Sequence, residues 1–367
     1  MKLRKVCTVL AALPLLLGIT AASSAHASVI PGSTLSPLIV AGAPPDSPGN
    51  RVDANTPASA FSGVVSINIR YDGQSFICSG TLVSKRDVVT AGHCIDTNGN
   101  GKIIDLNKPG SDVRVVFNSQ PNPGDPGRAI ITATSVSMNP NYQGFGNCPY
   151  ATTTDFCLND DIAVVTMGQD APDTAKIFKA WDPSMGVDTG QLITMVGYGR
   201  SGDGIAGYTT GPDFRIKRSG QNVMDLFDLD DEQHFASGPQ EVWYADFDGN
   251  GQDTFCTLLG VCTQILANDK EANIGGGDSG GPSFIFYDND YYLVGNNTFG
   301  GTFSGQTPGS FGTYFGGMVV GAYMDYLESA TNGRIDVPEP STGALLLTAL
   351  GIFGFAARRR KLEATAA

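Results

Sequence analysis

Short runs in which apolar and polar residues alternate recur along the chain, separated by turns rich in glycine, proline, asparagine and aspartate. Residues 64–71 read VVSINIRY and residues 112–118 read DVRVVFN. A period of two places one face of a strand against a core. Residues 322–330 (AYMDYLESA) instead carry apolar side chains at helical spacing. The pattern predicts an all-β protein with a short C-terminal helix.

Further runs of strand-like length and composition are distributed over the whole chain. The predicted strands are 63–70, 76–83, 87–90, 113–117, 130–138, 162–167, 192–198, 241–245, 283–287, 291–296 and 312–320. Many short strands at this spacing favour a sandwich or barrels. Residues 201–220 and 225–260 are predicted to be loops.

Both ends of the chain have the composition of targeting segments. Residues 1–27 combine a basic start, an apolar run and AHA before Ser28, the pattern of a signal peptide. Residues 336–367 contain a Pro-Glu-Pro triplet, an apolar segment and a basic end, and the apolar segment is shorter than the roughly 20 residues that span a membrane. Residues 28–51 are rich in proline and small residues and are predicted to be a linker or pro-segment. The core domain would occupy residues 52–335.

The charge of the chain argues against some partners. The net charge is −13, from 23 basic and 36 acidic residues. The leader holds three basic residues and the tail from Val337 onward holds four basic and two acidic ones, which leaves 16 basic and 34 acidic residues between them. Such a surface repels nucleic acid and anionic lipid. We expect no nucleic-acid partner, and contact with a membrane only transiently, through the terminal segments.

Six of the seven cysteines remain once Cys7 leaves with the leader. They fall into three local pairs, Cys78 with Cys94, Cys148 with Cys157, and Cys256 with Cys262. Six cysteines allow fifteen pairings, and pairing of neighbours is one of them. An even number in an exported chain favours disulfides over a thiol catalyst or a zinc site.

The glycine-rich stretch NIGGGDSGGP (273–282) contains a candidate nucleophile, Ser279. A serine hydroxyl needs a neighbouring base to take its proton, and that base is nearly always a histidine held by a carboxylate. His26 leaves with the leader. His93 follows an apolar strand in VVTAGHC, whereas His234 lies in the acidic stretch DLDDEQHFAS and is predicted to be exposed. His93 is therefore the candidate base.

Three segments, TAGHC, DDIAVV and GGGDSGGP, occur in this order and resemble the signature segments of the trypsin-like (chymotrypsin-fold, S1-type) serine proteases. The resemblance covers about residues 52–330 and implies two antiparallel six-stranded β-barrels with a cleft between them. It also implies a secreted serine endopeptidase that forms an acyl-enzyme. Ser279 would attack the substrate, His93 would act as general base, and Asp161 would orient His93. Asp155 and Asp160 are rivals for the acid.

Two other function classes remain open. One is a catalytically inactive, protease-like surface adhesion or calcium-binding protein, and the other is an esterase on the same three residues. The partners of a protease would be protein or peptide substrates.

The resemblance extends to further positions of the site. Gly277 and Ser279 would donate their backbone N–H groups to the oxyanion. Asn273 would lie at the base of the specificity pocket, whose walls would include Thr298, Phe299, Gly300 and Gly312. An uncharged base implies a preference for a polar or medium-sized apolar residue before the cleaved bond, and a cleavage profile dominated by Lys or Arg would contradict it. Gly275 stands where the family usually has a half-cystine.

Activation in this family requires a new N-terminus whose ammonium pairs with the aspartate before the serine, here Asp278. Counting back from Cys78 places that terminus at Val52, after Arg51. The dipeptide Ile39-Val40 is the rival.

Two stretches resemble calcium loops. DFDGNG places Asp246, Asp248 and Asn250 at alternate positions, and DTNGNGKI does the same with Asp96, Asn98 and Asn100. The twelfth positions are Thr257 and Asn107 rather than the bidentate glutamate of an EF-hand. Ordinary turns are the alternative. The chemistry itself requires no cofactor, and calcium would be a structural ion.

The tail resembles a PEP-CTERM sorting signal, with a plain membrane anchor as the alternative. The resemblance implies processing by signal peptidase and an exosortase. The protein would then be exported to the outer cell surface or the exterior of a Gram-negative bacterium.

Overall fold

The computed structural model describes residues 34–35, 38–118, 128–149 and 157–337. The predicted signal peptide, Asp155 and most of the sorting tail lie outside these ranges. The described chain consists mostly of strands with few helices, which confirms the all-β prediction. Two short strands come first, β1 (Thr34–Leu35) and β2 (Leu38–Val40).

The first half of the chain forms a closed barrel of six antiparallel strands, as predicted. The strands are β3 (Val64–Tyr71), β4 (Gln74–Leu82), β5 (Asp87–Thr90), β6 (Asp112–Phe117), β7 (Ala129–Met138) and β8 (Ala163–Met167), in the order β3-β4-β5-β8-β7-β6. Alternate side chains point inward, because successive residues of a strand face opposite sides. Val65, Ile67 and Ile69 of β3 are thus fully buried.

The second half is built on a nine-stranded sheet. The strands of this half are β9 (Lys179–Ala180), β10 (Gln191–Gly197), β11 (Ser201–Asp203), β12 (Gly207–Thr210), β13 (Arg218–Met224), β14 (Leu226–Leu229), β15 (Gln240–Asp246), β16 (Asn273–Gly275), β17 (Pro282–Tyr287), β18 (Asp290–Thr302) and β19 (Tyr314–Val319). The main path is β13-β10-β17-β18-β19-β15-β14, and β1 and β9 pair with β18. Strands β11 and β12 pair with each other, and β16 pairs with β2.

The two end strands of that path are consecutive in the chain. Strands β13 and β14 are separated by Asp225 alone, and they pair with β10 and β15 respectively. The sheet therefore curls until it meets itself at Asp225. Asn222 bridges the join, since its Nδ2 donates to the carbonyl oxygen of Asp246 at 3.0 Å. The described strands thus do not show the predicted second six-stranded barrel as a closed one, because the ladder of hydrogen bonds is interrupted at this join.

Most predicted strands lie within two residues of the observed bounds, and residues 87–90 agree at both ends. Residues 201–220 and much of 225–260 are not loops as predicted, because they contain β11 to β14 and a short helix, whereas β15 matches the predicted strand 241–245. Strand β13 (RSGQNVM) shows why, since it buries polar side chains and lacks an alternating pattern. The helices are α1 (Gly92–Ile95), α2 (Thr254–Leu259) and α3 (Met324–Ala330), the last confirming the predicted C-terminal helix. Three 3-10 turns lie at Pro48–Arg51, Pro183–Met185 and Val320–Tyr323.

Residues 38–51, predicted to belong to a linker or pro-segment, are packed into the second half. Strand β2 pairs with β16, and Ile39 and Val40 are buried. The Arg51 side chain is also buried and binds Asp46 at 2.6 Å. Pro44, Pro45 and Pro48, which contributed to the linker prediction, lie in tight turns of this packed segment.

The C-terminal end of the described chain is fixed to the first barrel. Arg334 donates from Nε and Nη2 to the buried carboxylate of Asp87 in β5, at 2.7 and 2.8 Å. Burial raises the pKa of Asp87, but hydrogen bonds from Arg334, Ser84 and Thr166 outweigh it and hold the pKa below its usual value. The two halves are therefore tied together on the side of the molecule where the chain leaves α3.

Candidate active site

His93 and Asp161 are brought together by two neighbouring strands of the first barrel. His93 lies in α1, just after β5, and Asp161 lies just before β8, which pairs with β5. The backbone N–H of His93 donates to Asp161 Oδ1 at 2.7 Å, and ring Nδ1 lies 2.7 Å from Oδ2. The Asp161 side chain is fully buried, whereas that of His93 is 24% exposed. The contact fixes the imidazole through Nδ1, and Nε2 is the ring nitrogen that does not take part in it.

The same contact sets the electrostatics of His93. Burial lowers the pKa of the imidazole, but the charge and hydrogen bond of Asp161, together with the charge of Asp96, outweigh it. The pKa of His93 is therefore held above its ordinary value. A raised pKa makes the imidazole a stronger base for a serine proton.

The rival residues are not part of this pair. Asp160 has φ +66°, its Oδ1 accepts from Asn139 at 2.9 Å, and its N–H donates to the Tyr323 hydroxyl at 2.9 Å. Burial and the acidic side chains Glu232, Glu241, Asp231 and Asp230 raise the pKa of Asp160 to about 9. His234 lies in an exposed turn, as predicted. Asp161 is thus the carboxylate that contacts His93.

Ser279 lies in the turn between β16 and β17, against the first barrel. Its carbonyl oxygen accepts the N–H of Ser79 in β4 at 2.8 Å and lies 3.7 Å from Sγ of Cys94, the residue after His93. The next residue, Gly280, has φ +78°, and a Cβ there would lie 2.1 Å from Thr90 Oγ1. Glycine is required for this close approach. The turn therefore places Ser279 beside α1, which carries His93.

The backbone around Ser279 presents two amide groups without partners. Gly277 has φ +105°, and neither its N–H nor that of Ser279 bonds to any residue within the described ranges. The Gly277 carbonyl points the other way and accepts from Ser79 Oγ at 2.7 Å. Ser79 Oγ in turn accepts the N–H of Tyr198 at 2.9 Å. Ser79 thus fixes the orientation of the Gly277 peptide group.

The sequence motifs indicated neither Ser79 nor Asn296, and Asn296 lies in β18. Its Nδ2 donates to the carbonyl oxygens of Thr90 and Asp161, at 3.2 and 3.3 Å, and the residue is fully buried. It therefore ties the second half of the chain to the backbone that carries the His93–Asp161 pair. The sequence feature that could have indicated Asn296 is the pair of consecutive asparagines, Asn296 and Asn297, in an otherwise apolar strand. Polar side chains buried in such a strand need hydrogen-bond partners.

The predicted pocket residues lie on β16, on β18 and in the segment before β19. Asn273 is buried, and its Nδ2 donates to Thr313 Oγ1 at 2.8 Å. Thr298 forms a bulge in β18, because the register shifts between Asn297 and Phe299. Gly300 lies two residues further along β18. Gly312 has φ +84° and directly precedes Thr313. The hydrogen bond from Asn273 to Thr313 therefore connects the predicted base of the pocket to the predicted wall at Gly312.

The surroundings of Asp278 favour the rival, Ile39, over Val52 for the predicted activation contact. Its buried carboxylate accepts the backbone N–H of Ile39, and those of Gly199 and Gly275 at 2.7 Å each. Val52 is instead 44% exposed, and its N–H bonds to the Gly49 carbonyl. Residues 41–51 form a packed segment between Ile39 and the first barrel, and counting back from Cys78 does not take this segment into account.

The three neighbour disulfides predicted from the sequence are present. Cys78 is bonded to Cys94, Cys148 to Cys157, and Cys256 to Cys262. The first joins β4 to α1 and so fixes the helix that holds His93.

At the candidate calcium loop, the Asp96 side chain accepts hydrogen bonds from the backbone of its own turn. Its Oδ1 accepts the N–H of Asn100 at 3.1 Å and its Oδ2 that of Gly101 at 2.7 Å. Asn98 and Asn100 are exposed. The carboxylate is thus occupied by the backbone of its own turn.

Two family models match the chain. The Trypsin model matches residues 52–211, which include His93 and Asp161 and end before Ser279. The PEP-CTERM protein-sorting motif matches residues 336–361. The chain is thus similar to the trypsin-like serine proteases over residues 52–211 and to PEP-CTERM sorting signals over residues 336–361. Among the described residues, no helix has the length and apolar character needed to cross a membrane.

The individual proteins that resemble this chain have low sequence identity to it. Brachyurin of Leptuca pugilator is 26% identical over 132 residues, which are 36% of this chain and 49% of brachyurin. The chain thus matches about half the length of this curated relative. The crystal structure of scabies mite inactivated protease paralogue S-I1 (SMIPP-S-I1) aligns over 77% of this chain and 99% of its own, at 20% identity and a TM-score of 0.44.

Proposed function

We propose that the chain is a secreted serine endopeptidase that hydrolyses peptide bonds through Ser279, His93 and Asp161. The observation that carries the proposal is the two-point contact of His93 with Asp161, beside a turn that holds Ser279 and two unpaired amide groups. A match to the Trypsin model over the segment containing His93 and Asp161 supports it.

In the proposed first step, Ser279 Oγ attacks the carbonyl carbon of the scissile bond while His93 Nε2 takes its proton. Asp161 stabilises the imidazolium that forms. The negative oxygen of the tetrahedral intermediate would accept from the N–H groups of Gly277 and Ser279. His93 then donates the proton to the leaving amine, the C–N bond breaks, and the acyl group remains on Ser279.

In the second step, water replaces the amine. His93 takes a proton from the water as it attacks the acyl carbon, and returns that proton to Ser279 Oγ when the ester bond breaks. The products are a free carboxylate and a regenerated serine. Neither step uses a cofactor.

Export and processing are part of the proposal. The PEP-CTERM match supports recognition of the tail by an exosortase and placement at the cell surface or outside the cell. Protein or peptide substrates would be met there, and signal peptidase would remove residues 1–27.

Labelling with a fluorophosphonate probe tests the proposal. We expect the active chain to be labelled and to cleave a peptide library, and Ser279→Ala and His93→Ala to do neither. His234→Ala is the matched control and should behave as the parent. Labelling that persists in Ser279→Ala would refute the proposed nucleophile, and ester hydrolysis without peptide cleavage would favour the esterase.

Ser79→Ala is expected to lower kcat by about tenfold with KM little changed. The variant leaves the buried Gly277 carbonyl without a donor, and a loss of about 1.4 kcal/mol is typical for such a group and equals a factor of ten in rate. The effect falls on kcat because the Gly277 N–H binds the oxyanion rather than the substrate ground state. Steady-state kinetics checks it, with Ser66→Ala as the control in the same barrel. A higher KM at unchanged kcat would contradict this role.

A further inference from the structure

Three aspartates meet where β15 ends and α2 begins. Asp246, Asp248 and Asp253 each place a carboxylate oxygen within 4.8 Å of those of the other two. Asp246 and Asp248 are buried, with 2% and 4% exposure. Two of the three side chains are also fixed by α2. Asp246 Oδ2 accepts the first two N–H groups of the helix at 2.7 and 2.8 Å, and Asp253 Oδ1 caps it at 2.9 Å.

Asp248 differs from the other two because one of its buried oxygens has no partner. Its Oδ1 accepts no hydrogen bond from any residue that the structure describes. Its backbone N–H is held by Glu271 Oε1 at 3.3 Å. Most buried side-chain polar atoms have a hydrogen-bond partner. A buried carboxylate oxygen that faces two other carboxylates and lacks a donor indicates a missing cation.

Two further buried acidic residues lie next to the three aspartates, which favours a positively charged ligand there. Asp225 and Glu271 are also buried next to these aspartates, and none of the five acids forms an ion pair within the described chain. Like charges this close repel one another in a medium of low dielectric.

We propose that Asp246, Asp248 and Asp253 bind a calcium ion. The donors are all oxygen, with neither histidine nor cysteine among them, which suits a hard cation and not zinc. Calcium takes six to eight oxygen ligands, so carbonyl groups or water would complete the shell. The sequence pattern predicted Asp246, Asp248 and Asn250 as ligands in this loop. Asn250 is exposed in the turn, and Asp253 contributes the third carboxylate.

The site is joined to the wall of the predicted specificity pocket. Thr254, whose N–H binds Asp246, donates from Oγ1 to the Gly312 carbonyl at 2.8 Å. Phe247 exchanges hydrogen bonds with Gly312 and Thr313, at 2.7 and 2.8 Å. Thr313 in turn holds Asn273. The ion therefore stabilises the pocket wall through these hydrogen bonds. This role of the ion rests on the proposed protease function. Gly275 leaves this pocket without the disulfide that the family usually has.

Binding is tested without any need for activity. CaCl₂ is titrated calorimetrically into the full chain carrying Ser279→Ala, after treatment with chelator. We expect one ion to bind and its affinity to fall at least about tenfold in Asp248→Asn and in Asp253→Asn, since asparagine keeps the helix cap but removes the charge. Asp188→Asn, at an exposed position, should bind as the parent does.

A second acidic cluster provides a sharper control. Asp231, grouped with Asp230, Glu232 and Glu241, also has a buried oxygen without a partner among the described residues. Because this cluster meets the same criterion, an ion bound there would appear as a separate binding event. Asp231→Asn should remove at most that event and leave the event that Asp248→Asn weakens. Loss of binding in Asp231→Asn with retention in Asp248→Asn would overturn the assignment, as would a folded parent that binds no calcium.

Thermal unfolding separates a ligand role from a structural one. Calcium should raise the melting temperature of the parent by on the order of 5 °C, and Asp248→Asn should lose this rise. In chelator, Asp248→Asn should melt no lower than the parent, because it removes one of several crowded negative charges. A variant that melts lower in chelator yet keeps the calcium shift would contradict the proposal.

The bracing role has its own measurement in the active chain. Chelation is expected to raise KM for a peptide severalfold and to leave kcat within about twofold, because the ion supports the pocket and not the reacting groups. A loss of kcat at unchanged KM would overturn the bracing role. Absence of activity in both conditions, with calcium binding intact, would refute the proposed function but not the site.

Discussion

Asp161→Asn is expected to lower kcat by about 10⁴-fold and to move the acid limb of the pH profile to lower pH. Asparagine preserves the shape of the side chain, but its NH₂ group cannot accept from His93 Nδ1 and so favours the wrong tautomer of the ring. It also removes the charge that holds the pKa of His93 above its ordinary value of 6.5.

The direction of the pH shift follows from the role of His93 as a base. The imidazole must be neutral to take the serine proton, so activity rises as pH increases through the pKa of His93. In the parent, the midpoint of kcat/KM should therefore lie above 6.5. In Asp161→Asn it should lie lower, and a pH series of kcat/KM measures both values.

Asp160→Asn is the matched control for this experiment. Its carboxyl group is adjacent in sequence, buried, and largely protonated at neutral pH because its pKa is raised to about 9. Replacing a neutral carboxyl by an amide should change kcat by no more than a fewfold. Equal losses in the two variants would show that burial, rather than contact with His93, accounts for the effect.

The His93–Asp161 pair could be predicted because each member lies in a short motif that fixes its own backbone. TAGHC places His93 at the end of β5, and DDIAVV places Asp161 at the start of β8. Strand pairing then sets their separation, and the first barrel follows from alternating apolar residues in the same way. Local pattern and tertiary position agree throughout this half of the chain.

The second half was harder to predict because its burial does not follow an alternating pattern. Asn222 in β13 is a buried polar residue whose partners are in β15 and in the segment before β16. Nothing near residue 222 in the sequence indicates these partners. Asp253 escaped prediction for a related reason, since the turn after Asp248 brings it back to the cluster at a position that an EF-hand pattern does not specify.

Active protein is expected to begin at Ile39, with kcat/KM about 10²- to 10³-fold above that of a chain beginning at Ser28. In the intact chain, the N–H of Ile39 donates to the buried Asp278 carboxylate. Burial raises the pKa of Asp278 to about 8, against the opposing effects of backbone N–H groups and the Arg218 charge. Hydrolysis of the Leu38–Ile39 bond would place an ammonium where the neutral amide now lies.

That ammonium would stabilise the ionised carboxylate and thereby fix the turn that follows it. Asp278 lies directly between Gly277 and Ser279, so the orientation of both proposed oxyanion donors depends on how firmly its side chain is held. A charge-assisted contact is roughly twice as strong as the neutral one that it replaces. The gain should appear mainly in kcat, because the oxyanion exists only in the transition state and intermediates.

N-terminal sequencing of the active protein, with kinetics of chains made to start at Ser28, Ile39 and Val52, measures this expectation. Asp278→Asn should abolish the advantage of the chain that starts at Ile39, because the ammonium would then have no charged partner. Full activity in an intact chain from Ser28 would refute the activation step. Activity in a chain from Val52 would refute the assignment to Ile39, since that chain lacks β2 and the buried Asp46–Arg51 ion pair.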